Sequence, residues 1–151
     1  MKLLKNKLII ISLLIYILSL FCNAFKVIQT KEIRDYSSFE LLLVGGISFL
    51  GGGILECFIW SANIWFFLAI SCLFFRRFIA SIIIGIIALS ISGSFMFWKT
   101  VLVSESGREA NIYSLETGYF LWLTSILLLI FSSIYLRIKN FEFEPINRNG
   151  L

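Results

Sequence analysis

The side chains that could carry chemistry in this sequence are carboxylates, guanidinium groups and hydroxyls, because none of its 151 residues is histidine. Without histidine the chain cannot form a Ser-His-Asp triad, a Cys-His pair or a His-ligated metal site. The three cysteines have no metal-ligand spacing. We therefore predict no catalytic residue, no metal and no cofactor, and a protein that is not an enzyme.

Polar and aromatic residues beside apolar runs are the candidate interaction or structural sites. Ionisable groups near a lipid layer are costly, so each one is a candidate functional position. For the glutamates, solvation at a membrane surface is the simpler interpretation. The selected residues are Glu40, Glu56, Asn63, Arg76, Arg77, Glu105, Arg108, Tyr119 and Trp122.

The composition indicates a membrane environment. The chain is 59% hydrophobic and 15% charged, with a mean hydropathy of +0.94. Soluble domains carry roughly 25% charged residues. A chain of this length buries only about 70% of its surface on folding, so the apolar excess cannot be hidden from water.

The long apolar runs predict the fold class. A helix needs about 20 apolar residues to cross a bilayer, and its backbone groups must be satisfied within the segment. The sequence therefore predicts an all-α integral membrane protein, a small antiparallel helical bundle of four to five transmembrane segments. The predicted units are 1–25, an N-terminal helix or signal-like segment, and 26–151, a helical membrane domain with segments 39–59, 62–75, 78–98 and 118–136, a polar loop at 99–117 and a polar tail at 137–151.

The run from 39 to 75 must break, because as one helix it would be about 55 Å long. We place the reversal at 60–63, Trp-Ser-Ala-Asn, where Ser61 or Asn63 can cap the next helix. This hairpin would bring Glu40 to the same membrane face as Arg76 and Arg77. It would bring Glu56 to the opposite face, near the polar loop. The five glycines between 45 and 53 are expected to allow close helix packing.

The N-terminus has two interpretations. Lysines precede an apolar stretch that ends in Cys22-Asn23-Ala24, which is typical of a cleavable signal, but the length also suits a retained helix. We favour the retained helix slightly. With the N-terminus inside and five crossings, more Lys and Arg would lie outside than inside, so the positive-inside rule disfavours that orientation.

Three short motifs carry a resemblance. Residues 118–125, Gly-Tyr-Phe-Leu-Trp-Leu-Thr-Ser, resemble the Gly-Tyr-Tyr-Leu-Trp-Leu-Ala-Ser signature of a group of small bacterial multi-pass membrane proteins with no assigned activity. Residues 39–43 and 60–63 are similar to that group's Phe-Glu-Leu-Leu and Trp-Leu-Ala-Asn-Pro elements, although Ile64 replaces the proline. The resemblance implies a location in the bacterial inner membrane and brings no catalytic residues.

For function, the leading hypothesis is a non-enzymatic membrane protein that binds a partner. A narrower version is an immunity-type protein that shields its host from a toxin. The alternative is a small transporter or channel with Glu56 as an intramembrane polar site. The expected partners are the lipid bilayer and a protein, either another species or a second copy. Nucleic acid is not expected, because the basic residues flank apolar runs.

Overall fold

A computed structural model describes residues 2–29, 32–104 and 107–143. Twelve elements follow one another along the chain, including two 3₁₀ segments. They are α1 (Lys2–Leu20), β1 (Asn23–Gln29), β2 (Glu32–Ser37), α2 (Ser38–Val44), a 3₁₀ segment (Gly45–Gly51), α3 (Ile54–Trp60), α4 (Ala62–Phe74), α5 (Phe78–Ser94), a short 3₁₀ segment (Phe95–Phe97), β3 (Thr100–Leu102), β4 (Glu109–Leu115) and α6 (Thr117–Phe143).

Four helices are long and apolar enough to cross a membrane. They cover Leu3–Leu20, Ile54–Phe74, Phe78–Phe97 and Thr117–Phe141, where α3 and α4 form one continuous rod. The number agrees with the lower bound of the predicted four to five segments. The second apolar run supplies only its later part to this rod, and the shorter apolar piece Ser38–Gly51 packs beside α3.

Side-chain bonds between the helices set their directions. Lys5 Nζ donates to the Phe74 carbonyl at 2.7 Å, so α1 begins where α4 ends. The Ser81 and Ser133 hydroxyls are 2.9 Å apart, which brings the start of α5 beside the later part of α6. The N-terminus, the α4–α5 turn and the end of α6 therefore share one end of the bundle, here called the lysine end.

The opposite end, here called the sheet end, contains a four-stranded antiparallel sheet in the order β2-β1-β4-β3. The all-α prediction was wrong in this respect. The sheet uses residues 23–37, which lie in the predicted linker, and residues from the predicted polar loop 99–117. Its pairings are non-local, since Lys26 is opposite Ser114. Pairs so distant in sequence cannot be recognised from a local apolar pattern.

The core has two parts. Between the helices, Phe66, Leu73, Ile126 and Leu129 are fully buried. Between the sheet and the helices, the inward-facing side chains of β1 pack with the end of α5, and Phe25 lies 5.3 Å from Phe95 between ring centroids. The sheet is thus fixed to the bundle through its inner face.

The predicted reversal at 60–63 was wrong. Ser61 N donates to the Cys57 carbonyl at 3.0 Å and Trp65 N to the Ser61 carbonyl at 3.2 Å, so the helix passes through this point. The chain reverses instead at Gly52, whose φ of +90° is accessible to glycine and costly for other residues. A polar residue such as Ser61 is compatible with a helix, whereas a positive φ is not.

The glycines before the reversal confirm the close-packing expectation. A Cβ on Gly45 would lie 2.5 Å from Trp60 Cδ1, and one on Gly46 would lie 2.9 Å from Trp60 Cζ2. The indole also donates from Nε1 to the Leu42 carbonyl at 2.8 Å. The segment 38–60, here called the glycine hairpin, is therefore held together around the Trp60 side chain.

Candidate functional site: a cavity at the sheet end

A cavity of about 540 Å³ lies between the sheet, the glycine hairpin and the sheet end of the bundle. Its volume is within the range of about 300–1,000 Å³ that ligand pockets occupy. Residues from α1, β1, α2, α3, β3 and α6 contribute to its lining. Most of these side chains are apolar, and the polar ones include several of the residues selected from the sequence, namely Glu40, Glu56, Asn63, Tyr119 and Trp122.

Glu56 joins the glycine hairpin to the sheet. Its Oε1 accepts a hydrogen bond from the Leu102 backbone N–H of β3 at 2.8 Å. The expectation that Glu56 lies near residues 99–117 is confirmed. The carboxylate is half-buried and touches a strand, so it lies at the sheet end rather than midway along the bundle.

Asn63 and Tyr119 hold the floor of the cavity in place. The Asn63 Oδ1 accepts from the Tyr16 hydroxyl at 3.1 Å, while its Nδ2 donates to the Trp60 carbonyl at 2.9 Å. The Tyr119 hydroxyl donates to the Ser92 carbonyl at 2.8 Å. These bonds connect α1 to α4 and α6 to α5, which gives both selected residues a structural role.

Two polar atoms at the cavity have no partner. Within the described part of the chain, Ser38 Oγ and Trp122 Nε1 are the buried side-chain nitrogen or oxygen atoms that lack a hydrogen bond. Both residues line the cavity. Leaving a buried donor unsatisfied costs roughly 1–3 kcal/mol, so these two groups are suited to meet an acceptor that enters the cavity.

Gly118 places α6 against the two strands' shared entry point. A Cβ at this position would contact Ser38 Oγ and would lie 2.7 Å from the Asn23 carbonyl oxygen and 2.9 Å from that of Cys22. Backbone carbonyls cannot rotate away as a long side chain can. The first residue of the Gly-Tyr-Phe-Leu-Trp motif is therefore explained by close approach to the α1–β1 connection.

The other selected residues lie elsewhere. Arg76 and Arg77 form the α4–α5 turn at the lysine end, where Arg76 has φ of +60°. Glu40 is at the sheet end, since the neighbouring Ser38 N donates to the Cys22 carbonyl at 3.1 Å. The expected proximity of Glu40 to the two arginines was wrong, because the glycine hairpin returns before crossing the bundle.

Two selected residues belong to the connection between β3 and β4. Glu105 lies outside the described residues. Arg108 is exposed, and its backbone N–H lies 3.4 Å from Ser104 Oγ. Neither residue is among those that line the cavity.

Sequence reasoning missed Tyr16, Ser38 and Leu102. Tyr16 is the sole tyrosine in a run of aliphatic residues, which is a local signal for a buried hydroxyl with a partner. Ser38 precedes the apolar run and has the residue type expected of a helix cap. Leu102 contributes through its backbone, so its side-chain type contains no signal for the contact with Glu56.

The outer face of the sheet contains a small charged network and an apolar patch. Lys26 Nζ lies 3.4 Å from Glu116 Oε1 and 3.8 Å from Asp35 Oδ1. Ile28 and Ile33 are paired across β1 and β2, and both side chains are exposed. The hydrogen bond from Ser114 Oγ, at 2.6 Å, lowers the pKa of the Glu116 carboxyl from 4.5, and Lys26 adds to the effect.

The buried serines of the helices form bonds inside the bundle. Ser12 Oγ donates to the Ser125 carbonyl at 2.8 Å, and Ser81 Oγ donates to the Ala69 carbonyl at 2.8 Å. Ser92 and Ser133 each donate to a carbonyl four residues earlier in their own helix. These hydroxyls therefore connect or decorate helices and do not line the cavity.

No family model, curated protein or solved structure matches this chain. The site is therefore interpreted from its own residues and contacts.

We predict that Gly118→Ala lowers the free energy of unfolding by about 1–3 kcal/mol, because the new Cβ meets two backbone carbonyls. The matched control is Gly93→Ala in α5, where a Cβ would meet nothing within 4 Å. The control is expected to be neutral or to gain up to about 1 kcal/mol from helix propensity. Denaturant titration in detergent micelles measures both. Equal stability of the two variants would contradict the packing argument.

We predict that Ser114→Ala raises the pKa of Glu116 towards 4.5. A carboxyl with a lowered folded-state pKa contributes stability above its unfolded-state pKa and loses it as the pH falls through the folded-state value. Acid destabilisation should therefore begin at a higher pH in the variant. Carboxyl NMR titration in micelles measures the pKa, with Ser94→Ala as control because that hydroxyl bonds to the Ile91 carbonyl. An unchanged Glu116 titration in Ser114→Ala would exclude this hydrogen bond as the main cause.

Proposed function

We propose that this chain is a non-enzymatic, four-span protein of the bacterial inner membrane that binds a partner at its sheet end. The observation that carries the proposal is the exposed apolar pair Ile28 and Ile33 on the outer face of the sheet. This face belongs to none of the four candidate spans, so lipid does not cover it on the proposed placement. An apolar patch exposed to water is a common mark of a protein-binding surface.

Exposed apolar side chains along the helices support the membrane placement. Leu14 of α1, Phe67 of α4, Ile83 of α5 and Phe131 of α6 are all exposed, and Phe131 has 65% of its surface accessible. A soluble monomer rarely exposes contiguous apolar patches larger than a few hundred Å². A bilayer around the bundle removes this surface from water.

The distribution of basic residues supports an orientation with the lysine end in the cytoplasm. With four crossings, both described ends of the chain lie on the same side, and the positive-inside rule is satisfied there. The lysine end has Lys2, Lys5, Lys7, Arg76, Arg77, Arg137 and Lys139, whereas the described basic residues of the sheet end are Lys26, Arg34, Lys99 and Arg108. The conflict found with five crossings came from counting the glycine hairpin as a crossing.

The contacts of α1 support retention of residues 1–24. Tyr16 supplies the hydroxyl that Asn63 accepts, Ser12 bonds to α6, and Lys5 donates to the last turn of α4. Cleavage after Ala24 would remove all of these bonds and shorten the central strand β1. We therefore propose that the N-terminal helix remains part of the working protein.

The orientation predicts the labelling of single cysteines. In a background with Cys22, Cys57 and Cys72 replaced by Ala, Asn111→Cys on the exposed sheet should react with a membrane-impermeant maleimide in intact cells. Lys139→Cys should react only after the membrane is opened. Labelling of position 139 in intact cells would reverse the proposed orientation, and free labelling of buried-span position 83 after Ile83→Cys would contradict the membrane placement.

An immunity-type role is the narrower form of the proposal, with an envelope-acting toxin as the partner. Expression of the protein should protect cells against a toxin encoded beside its gene, and Ile28→Lys with Ile33→Lys should abolish protection. Glu109→Lys is the control, because Glu109 is exposed on β4 away from the isoleucine pair. Survival counts measure the effect. Equal killing with and without expression would end this form of the proposal, and protection by the double variant would exclude the isoleucine pair as the contact.

A further inference from the structure

The cavity straddles the proposed boundary of the membrane on the sheet side. Its floor includes Tyr16 and Asn63, which lie within the candidate spans Leu3–Leu20 and Ile54–Phe74. Its roof includes Val101 and Leu102 of β3, which follow the end of the span Phe78–Phe97. An occupant would therefore have one part at the depth of the acyl chains and another at the depth of the head groups.

The glycine hairpin provides an apolar wall on the lipid side of the cavity. Its residues Leu50 and Ile54 are 75% and 70% exposed, and Leu50 also belongs to the cavity lining. A wall that is apolar on both sides excludes a polar, water-soluble ligand from the lateral route. A hydrocarbon chain can pass from the bilayer into such a cavity without losing its apolar surroundings.

The charges at the cavity select the head group. Glu40 and Glu56 are among the described lining residues, and no lysine or arginine is. Two carboxylates without a neighbouring cation repel an anionic head group and attract an ammonium group. Glu40 is exposed at the start of α2, where such a head group would reach it.

The unpartnered donors select the linkage between chain and head group. Gly118 and Trp122 are four residues apart and share one face of α6, and Ser38 Oγ lies against Gly118. The Ser38 hydroxyl and the Trp122 indole N–H thus lie near one another on the cavity lining, and each requires an acceptor. An ester carbonyl offers that acceptor at the junction of an acyl chain and a head group.

We propose that this cavity binds one acyl chain of a zwitterionic aminophospholipid of the phosphatidylethanolamine type. The chain occupies the apolar floor, an ester carbonyl accepts from Trp122 Nε1 and Ser38 Oγ, and the ammonium group lies beside Glu40 and Glu56. The inference rests on the proposed membrane placement and goes beyond it by naming a ligand class and its contacts.

The test uses the full chain reconstituted with equal amounts of phosphatidylethanolamine and phosphatidylglycerol that have identical acyl chains. Native mass spectrometry after detergent extraction measures the lipids retained. Phosphatidylethanolamine should be enriched several-fold over the input ratio. In the double variant Glu40→Gln with Glu56→Gln, the ratio should return towards the input. Glu109→Gln is the charge-matched control and should leave the enrichment unchanged.

A second pair of variants tests the linkage. Trp122→Phe keeps an aromatic ring and removes the N–H, so retention of phosphatidylethanolamine should fall about fivefold, as expected for one hydrogen bond. Trp65→Phe is the control, since Trp65 is half-buried in α4 and lies outside the cavity lining. Circular dichroism of each variant establishes that it is folded.

Three results would overturn the proposal: a retained ratio equal to the input in the unmodified protein, equal losses in Trp122→Phe and Trp65→Phe, or enrichment that survives removal of both carboxylates. If Trp122→Phe does not fold, the glutamate pair and its control still decide the matter. Cysteine labelling that supports the placement, together with no enrichment, would reject the ligand alone. Labelling that contradicts the placement would count against the proposed function.

Discussion

The backbone conformation of Gly52 determines the topology of the whole chain. Its positive φ reverses the chain within the second apolar run, so residues 38–60 fold back at the sheet end and do not cross the bundle. Both described ends of the chain consequently lie at the lysine end. The same reversal places Glu40 and Glu56 on one cavity and separates Glu40 from Arg76. An additional crossing would undo each of these relations.

The sheet completes what the helices leave open at that end. Its inner face covers the ends of α5 and α6 through side chains such as Phe25 and Val27, and the Glu56 carboxylate attaches the glycine hairpin to β3. The space between these parts is only partly filled, which leaves the cavity. Its apolar lining, two carboxylates and two unpartnered donors fit an amphiphile better than a water-soluble metabolite. On the proposed placement, the outer face remains available to a protein.

The candidate site was predicted in part. Glu56, Asn63, Tyr119 and Trp122 stand out in the sequence because polar or amphipathic groups in apolar runs are costly unless they have a role. Their meeting around one cavity could not be predicted, because it depends on where residues 39–75 reverse. A helix signal at Ser61 and a loop signal at Ser61 are alike in sequence. The bond from Leu102 to Glu56 involves a backbone N–H, which every non-proline residue possesses.

Composition and run length alone determined that this chain needs an apolar environment and that its long segments are helices, since helix formation satisfies backbone groups locally. Absence of histidine likewise narrowed the chemistry without any structure. Only the tertiary structure decided the number of long helices, the existence of the sheet and the location of the cavity. The reason is the range of the interactions: helical hydrogen bonds join residues four apart, whereas the pairing of Lys26 with Ser114 and of Glu56 with Leu102 requires the chain to be folded first.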